Sequence, residues 1–95
     1  MNKIKSNKVE VDGIEIPLPS MSVVISREGK WYVSTCPELG IASQGSSREN
    51  ARQMLAEAVE LWLKFAGAAE IKRRIARGAR VMTLDLMSSS RPAGV

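Results

Sequence analysis

From Ala51 to Ala66 the chain places apolar residues at Ala51, Met54, Leu55, Ala58, Val59, Trp62, Leu63 and Ala66, in steps of three and four. That spacing lays one broad apolar face along a helix, with Arg52, Gln53, Glu57, Glu60 and Lys64 opposite. Such a helix draws most of its stability from burying that face, so it demands a cover. Its start is marked by Ser46 followed by Glu49. These read as a capping box, the hydroxyl accepting from the backbone N–H three residues on and the Glu reaching back. Gly67 ends or interrupts it.

The cover is expected to be a sheet. Ser20–Ser26 and Trp31–Cys36 read as two strands, and the intervening Glu28-Gly29 suits a two-residue hairpin loop. That loop would set Ile25 opposite Tyr32 and Val23 opposite Ser34. One face would then hold Met21, Val23, Ile25, Tyr32 and Cys36, and the other Val24, Trp31, Val33 and Thr35. Both faces are partly apolar, whereas a sheet covered on one side only should show a polar outer face. Pro37-Glu38-Leu39-Gly40 reads as a turn and Ile41–Gln44 as a third strand.

Upstream, Val9, Val11, Ile14 and Ile16 alternate around Asp12-Gly13, as a small hairpin or one irregular edge strand. Pro17 and Pro19 stop it. Downstream, Ala68–Arg77 reads as a short basic helix closed by Gly78, and Arg80–Leu86 alternates as a last strand. The expected fold is therefore α+β, an antiparallel sheet backed by one long amphipathic helix, with a short basic helix before the final strand. A single domain is expected over residues 9–86, after a frayed basic start at 1–8 and before a Ser/Pro/Gly tail at 87–95.

With 95 residues and no histidine, several chemistries drop out. Ser-His-Asp and Cys-His nucleophile systems need an imidazole. A zinc site built almost wholly from carboxylates, with the single Cys36, would be an unusual choice for that metal. Walker-type and dinucleotide glycine motifs are missing. No cofactor or metal is expected. The lone cysteine fits a reducing compartment, and no apolar run approaches the ~20 residues that cross a bilayer. The chain is expected to be cytoplasmic. A domain this small has a thin core, which makes an oligomer plausible.

The net charge of +4 is unevenly spread. Lys3, Lys5 and Lys8 make the start basic, and Val9–Ile71 carries nine carboxylates against five cations. Lys72, Arg73, Arg74, Arg77 and Arg80 then face only Asp85 through residue 86. An acidic body between basic ends leaves one patch, not the whole chain, with the charge for nucleic acid.

The ordered set Trp31-Tyr32-Val33-Ser34-Thr35-Cys36-Pro37-Glu38-Leu39-Gly40-Ile41-Ala42-Ser43-Gln44-Gly45, followed at once by the capped helix, resembles the HicB antitoxin family. The shared features are an aromatic-Val pair, a Pro-acid-Leu turn, a strand ending Gln-Gly, and a capped helix rich in Ala, Leu and Glu. They cover about Ser22 to Phe65. The resemblance implies a partial RNase H-like fold of order β-β-β-α-β, without the catalytic carboxylates of true RNase H enzymes. Two-metal phosphodiester chemistry needs converging carboxylates, and the three central strands contain none. No enzyme is expected; a residual metal-dependent nuclease using Glu38 and Asp85 is the weakest reading.

The resemblance also implies a partner, a HicA-type ribonuclease toxin that is small and basic. Glu38, Glu57 and Glu60 are the candidates for meeting its cations. Val24, Trp31 and Val33 are the candidates for contact between copies, as a homodimer or higher oligomer. Only nine residues follow Leu86, which sets this chain apart from relatives carrying a C-terminal operator-binding segment. A solitary oligomeric module that binds nucleic acid weakly through Lys72, Arg73, Arg74 and Arg77 is the alternative. Trp62 is expected in the core and Cys36 as an inert small hydrophobe.

Overall fold

The computed structural model describes residues 1–86. Its strands are β1 (Lys3–Ile4), β2 (Lys8–Val11), β3 (Ile14–Pro17), β4 (Val24–Glu28), β5 (Trp31–Cys36) and β6 (Ile41–Gly45), followed by helices α1 (Arg48–Phe65) and α2 (Ala68–Arg77). The class is α+β, with two antiparallel three-stranded sheets in the orders β1-β2-β3 and β4-β5-β6.

In the second sheet Ile25 lies opposite Ser34 and Arg27 opposite Tyr32, so the β4–β5 loop is Gly29-Lys30 rather than Glu28-Gly29. Gly29 takes φ +62° as the first loop residue, where a type II′ turn needs a glycine. The expected loop would have put Glu28 at that position. The register therefore differs from expectation by two residues, one full pleat repeat, and the face sets survive for the strand residues, while Met21 and Val23 lie ahead of β4. Strand β4 also starts at Val24 rather than Ser20, because the Ser22 N–H goes to the Glu38 carboxylate at 2.9 Å and not to a ladder.

Helix α1 buries Ala51, Leu55, Val59 and Leu63. Its first turn comes very close to the sheet. Ser34 and Ala51 are both fully buried, and the Ser34 hydroxyl donates to the Ala51 carbonyl at 2.7 Å. A Cβ on Gly45 would lie 2.5 Å from the Ala51 nitrogen. The cap sits one residue later than expected. Ser47, not Ser46, accepts from the Asn50 N–H at 3.0 Å, and Asn50 rather than Glu49 reaches back, to the Ser46 N–H at 3.0 Å. Glu49 instead pairs with Arg52 at 3.1 Å on the surface. Trp62, expected in the core, is half-buried at its edge with the Arg74 guanidinium 5.4 Å from its ring centroid.

The first eight residues are not a frayed end. Lys3–Ile4 pairs with Val9–Glu10, and Asn2 closes the end of α1, its side-chain amide donating to the Leu63 and Ala66 carbonyls at 2.8 Å each. Asp12 and Gly13, at φ +50° and +81°, turn β2 into β3, so the segment is a hairpin. Val9, Val11 and Ile16 point into the same core as Leu55, Val59, Leu63 and Ile71. Lys5 and Lys8 lie across from Glu15, each at 3.2 Å, so the basic start and part of the acidic body neutralise one another.

The expected closing strand is absent among the described residues: nothing from Gly78 to Leu86 enters a ladder. Just beyond α2 the Ala79 N–H donates to the Pro37 carbonyl at 3.0 Å. Alternation makes a two-faced segment, but a strand also needs an edge to receive it. The β-β-β-α-β order is thus replaced by two three-stranded sheets followed by two helices, and the expected tail at 87–95 lies outside the described residues.

Gly45→Ala is expected to cost about 1–3 kcal/mol, because the new methyl meets helix backbone that cannot yield without moving α1. Urea unfolding followed by circular dichroism measures this. An unchanged midpoint would show that helix and sheet are not in register-locked contact at Ala51.

Candidate functional site

The open face of the β4–β6 sheet follows from its register. Val24, Ser26 and Glu28 on β4, Trp31, Val33 and Thr35 on β5, and Ala42 and Gln44 on β6 alternate to one side. Ser34, on the other side, is bonded to α1, so this first side is the one the helix does not cover. Val24, Trp31 and Val33 share that face, with Trp31 opposite Glu28 beside the hairpin loop and Val24 opposite Thr35 at the far end, and Trp31 keeps 47% of its surface exposed.

The three acidic candidates are not brought together. Glu57 and Glu60 stand exposed on the outer side of α1. Glu60 lines a groove of about 340 Å³ between the β1 region, residues 18–23 and α1, whose floor includes Cys36, Leu55 and Leu63. Glu38 is turned inward, with only 7% of its surface exposed. Its carboxylate accepts from the Ser22 N–H at 2.9 Å and from the Cys36 thiol at 3.6 Å. It is therefore a structural acid that ties the entry of β4 to the Pro37–Gly40 turn, and it is removed from the surface a partner would meet. It lines a second hollow, of about 490 Å³, with Ser22, Ile75, Gly78 and Arg80 among its walls.

Burial alone would raise the Glu38 pKa, but the Ser22 hydrogen bonds and the Cys36 thiol outweigh it and leave the carboxyl lowered. Burial, reinforced by the Glu38 charge, pushes the Cys36 thiol up, which keeps it protonated and unreactive. Lys5 and Lys8 lower the Glu15 carboxyl.

The basic candidates also divide. Lys72, Arg73 and Arg77 are exposed on α2. Arg74 is already engaged, donating to the Leu39 carbonyl at 3.2 Å and the Gly40 carbonyl at 3.4 Å while lying over Trp62. Next to this clamp Gly78 rests on the Glu38 carbonyl so closely that no side chain fits. Sequence reasoning missed this role of Arg74, and it missed Asn2, Ser34 and Ser22 as well. A polar Ser34 in an apolar strand, two residues before Cys36, was the one available sign of a buried partner.

Among the described residues no three His, Cys, Asp or Glu side chains gather as a metal site, and no helix is long and apolar enough to cross a membrane. No family model, curated protein or solved structure matches this chain.

Because the folded Glu38 and Glu15 carboxyls lie below the ordinary value near 4.5, their contribution to stability is present above that pH and is lost as the pH falls through the folded values. Acid unfolding of Glu38→Gln is expected to show a shallower loss of stability below pH 4.5 than the unsubstituted chain. Equal slopes would remove Glu38 from the account. Cys36 is expected to resist a maleimide at pH 7 until denaturant opens the fold, as read by mass spectrometry.

Proposed function

We propose that this chain is a non-catalytic, HicB-like antitoxin-type protein that binds and occludes a HicA-type ribonuclease toxin, and that copies of it associate through Val24, Trp31 and Val33. What supports the reading most is the order of pieces. The hairpin, the Pro37–Gly40 turn, the strand ending at Gly45 and the capped helix fold together as one sheet-and-helix layer. These are the pieces on which the resemblance to the HicB family rests. The occlusion is steric and electrostatic, with no bond made or broken. Glu57 and Glu60, exposed one turn apart on α1, would meet cations of the partner, since opposite fields speed encounter and reject wrong partners. Glu38 supports the turn behind them and has no share in the contact. The protein works in the cytoplasm in this reading, where a ribonuclease would have to be restrained.

Co-expression with a basic, HicA-type ribonuclease is expected to give a complex that survives purification and blocks RNA cleavage. Reversing charge in Glu57→Lys/Glu60→Lys should weaken that complex about tenfold at low salt, mainly through the association rate. Copurification of neither protein with the other counts against the proposal, and so does a double variant that binds the toxin as tightly as the unsubstituted chain.

A second reading is favoured by one observation: Lys72, Arg73 and Arg77 are exposed and have no ion-pair partner among the described residues. In it the chain is a solitary oligomeric module that holds nucleic acid loosely by phosphate contacts. Gel-shift binding that falls steeply with salt and vanishes in Arg73→Glu/Arg77→Glu is its signature. Binding that ignores both salt and the substitutions would dispose of it.

A further inference from the structure

Helix α1 carries more apolar surface than its own chain covers. Beside the buried row Ala51, Leu55, Val59 and Leu63 runs a second row, Met54, Ala58, Leu61 and Phe65. Its spacing of four, three and four is that of a coiled-coil seam two turns and more long. Single exposed apolar residues need no explanation, but here three large ones fall on one seam. Met54 is 40% exposed, Leu61 61% and Phe65 70%. Leu61 and Phe65 in particular keep most of their surface exposed in the folded chain.

We infer that this row is a self-association surface whose occupant is α1 of a second copy, packed antiparallel about a two-fold axis. The row is self-complementary in that direction. Met54 faces Phe65 of the second copy while Ala58 faces its Leu61, and both pairings follow from a single register. Large residues thereby meet at the two ends and the small Ala58 admits Leu61 near the axis, which lets the helices approach closely.

Charge selects the same arrangement. Glu57 and Lys64 flank the row on its solvent side, and among the described residues neither has an ion-pair partner. In the antiparallel pair Glu57 of each copy comes within about two residues, or ~3 Å along the axis, of Lys64 of the other, and the two-fold makes the pair twice. A parallel pair would set Glu57 against Trp62 and leave Lys64 without a partner. The surface is distinct from Val24, Trp31 and Val33 on the open sheet, so it stands whether or not copies also meet there; it shares Glu57 with the toxin contact proposed above, so a second copy and the toxin compete for that residue. Where both contacts form, each chain has two isologous faces, the arrangement that builds a tetramer when the axes cross.

The test is the mass of the full chain by sedimentation at roughly 100 μM, above the micromolar Kd suited to so short a contact. Leu61→Glu is expected to halve the mass with the circular dichroism unchanged. Phe65→Lys should do the same if Leu61→Glu disturbs folding. Glu57→Lys and Lys64→Glu should each weaken association about tenfold, and Glu57→Lys/Lys64→Glu together should restore it. Trp31→Glu reports separately on the sheet face. A Leu61→Glu chain and a Phe65→Lys chain that both keep the original mass overturn the surface, and charge reversals that either do nothing or are not rescued overturn the antiparallel register.

Discussion

The fold depends on how closely α1 can approach the β4–β6 sheet. Gly45, Ser34 and Ala51 meet where the strand gives way to the helix, and only residues of that size leave room. The Ser34 hydroxyl then solves the problem it creates, since a buried polar group without a partner would cost about 1–3 kcal/mol. By donating a hydrogen bond to the Ala51 carbonyl it joins helix and sheet at one point. The Ser47–Asn50 cap just ahead sets the angle at which the helix leaves. Once that angle is set, Leu55, Val59 and Leu63 fall over the core.

A helix held so tightly at its first turn still has to be enclosed along its length, and one three-stranded sheet is too narrow for that. The remaining cover comes from the N-terminal sheet, whose Val9, Val11 and Ile16 enter the same core, and from Ile71 of α2. Asn2 and Arg74 act as ties at the two far places. Asn2 satisfies carbonyls left unpaired at the end of α1, and Arg74 satisfies those of Leu39 and Gly40. Glu38 does the same for the Ser22 N–H at the entry of β4. Three charged or amide side chains thus serve backbone groups that no ladder reaches, which is why they are unavailable to a partner.

What stays open is accordingly specific. The outer face of the β4–β6 sheet shows Trp31 and Val24, the outer side of α1 shows Glu57 and Glu60, and α2 shows Lys72, Arg73 and Arg77. The molecule therefore shows several separate surfaces, the sheet face mixing Trp31 and Val24 with Ser26, Glu28 and Gln44, and α1 adding exposed Leu61 and Phe65.

Hydrophobic periodicity by itself determined the α+β class, the long helix and the faces of the central hairpin, because each is a local matter of side-chain spacing against a backbone repeat; Asp12-Gly13 marked its turn by residue type, and only the structure decided that the segment is a hairpin. Even the two-residue shift in the β4–β5 register left those faces intact, since side chains alternate with a period of two. Tertiary structure decided the rest. Whether 80–86 becomes a strand depends on a free edge within reach, which its own alternation cannot supply. Whether Glu38 and Arg74 face outward depends on which distant carbonyl or N–H lacks a partner, as does the role of Asn2, 61 residues from the Leu63 carbonyl it caps. Charge along the chain misled for the same reason: Lys5 and Lys8 count as a basic terminus until a hairpin lays them across from Glu15.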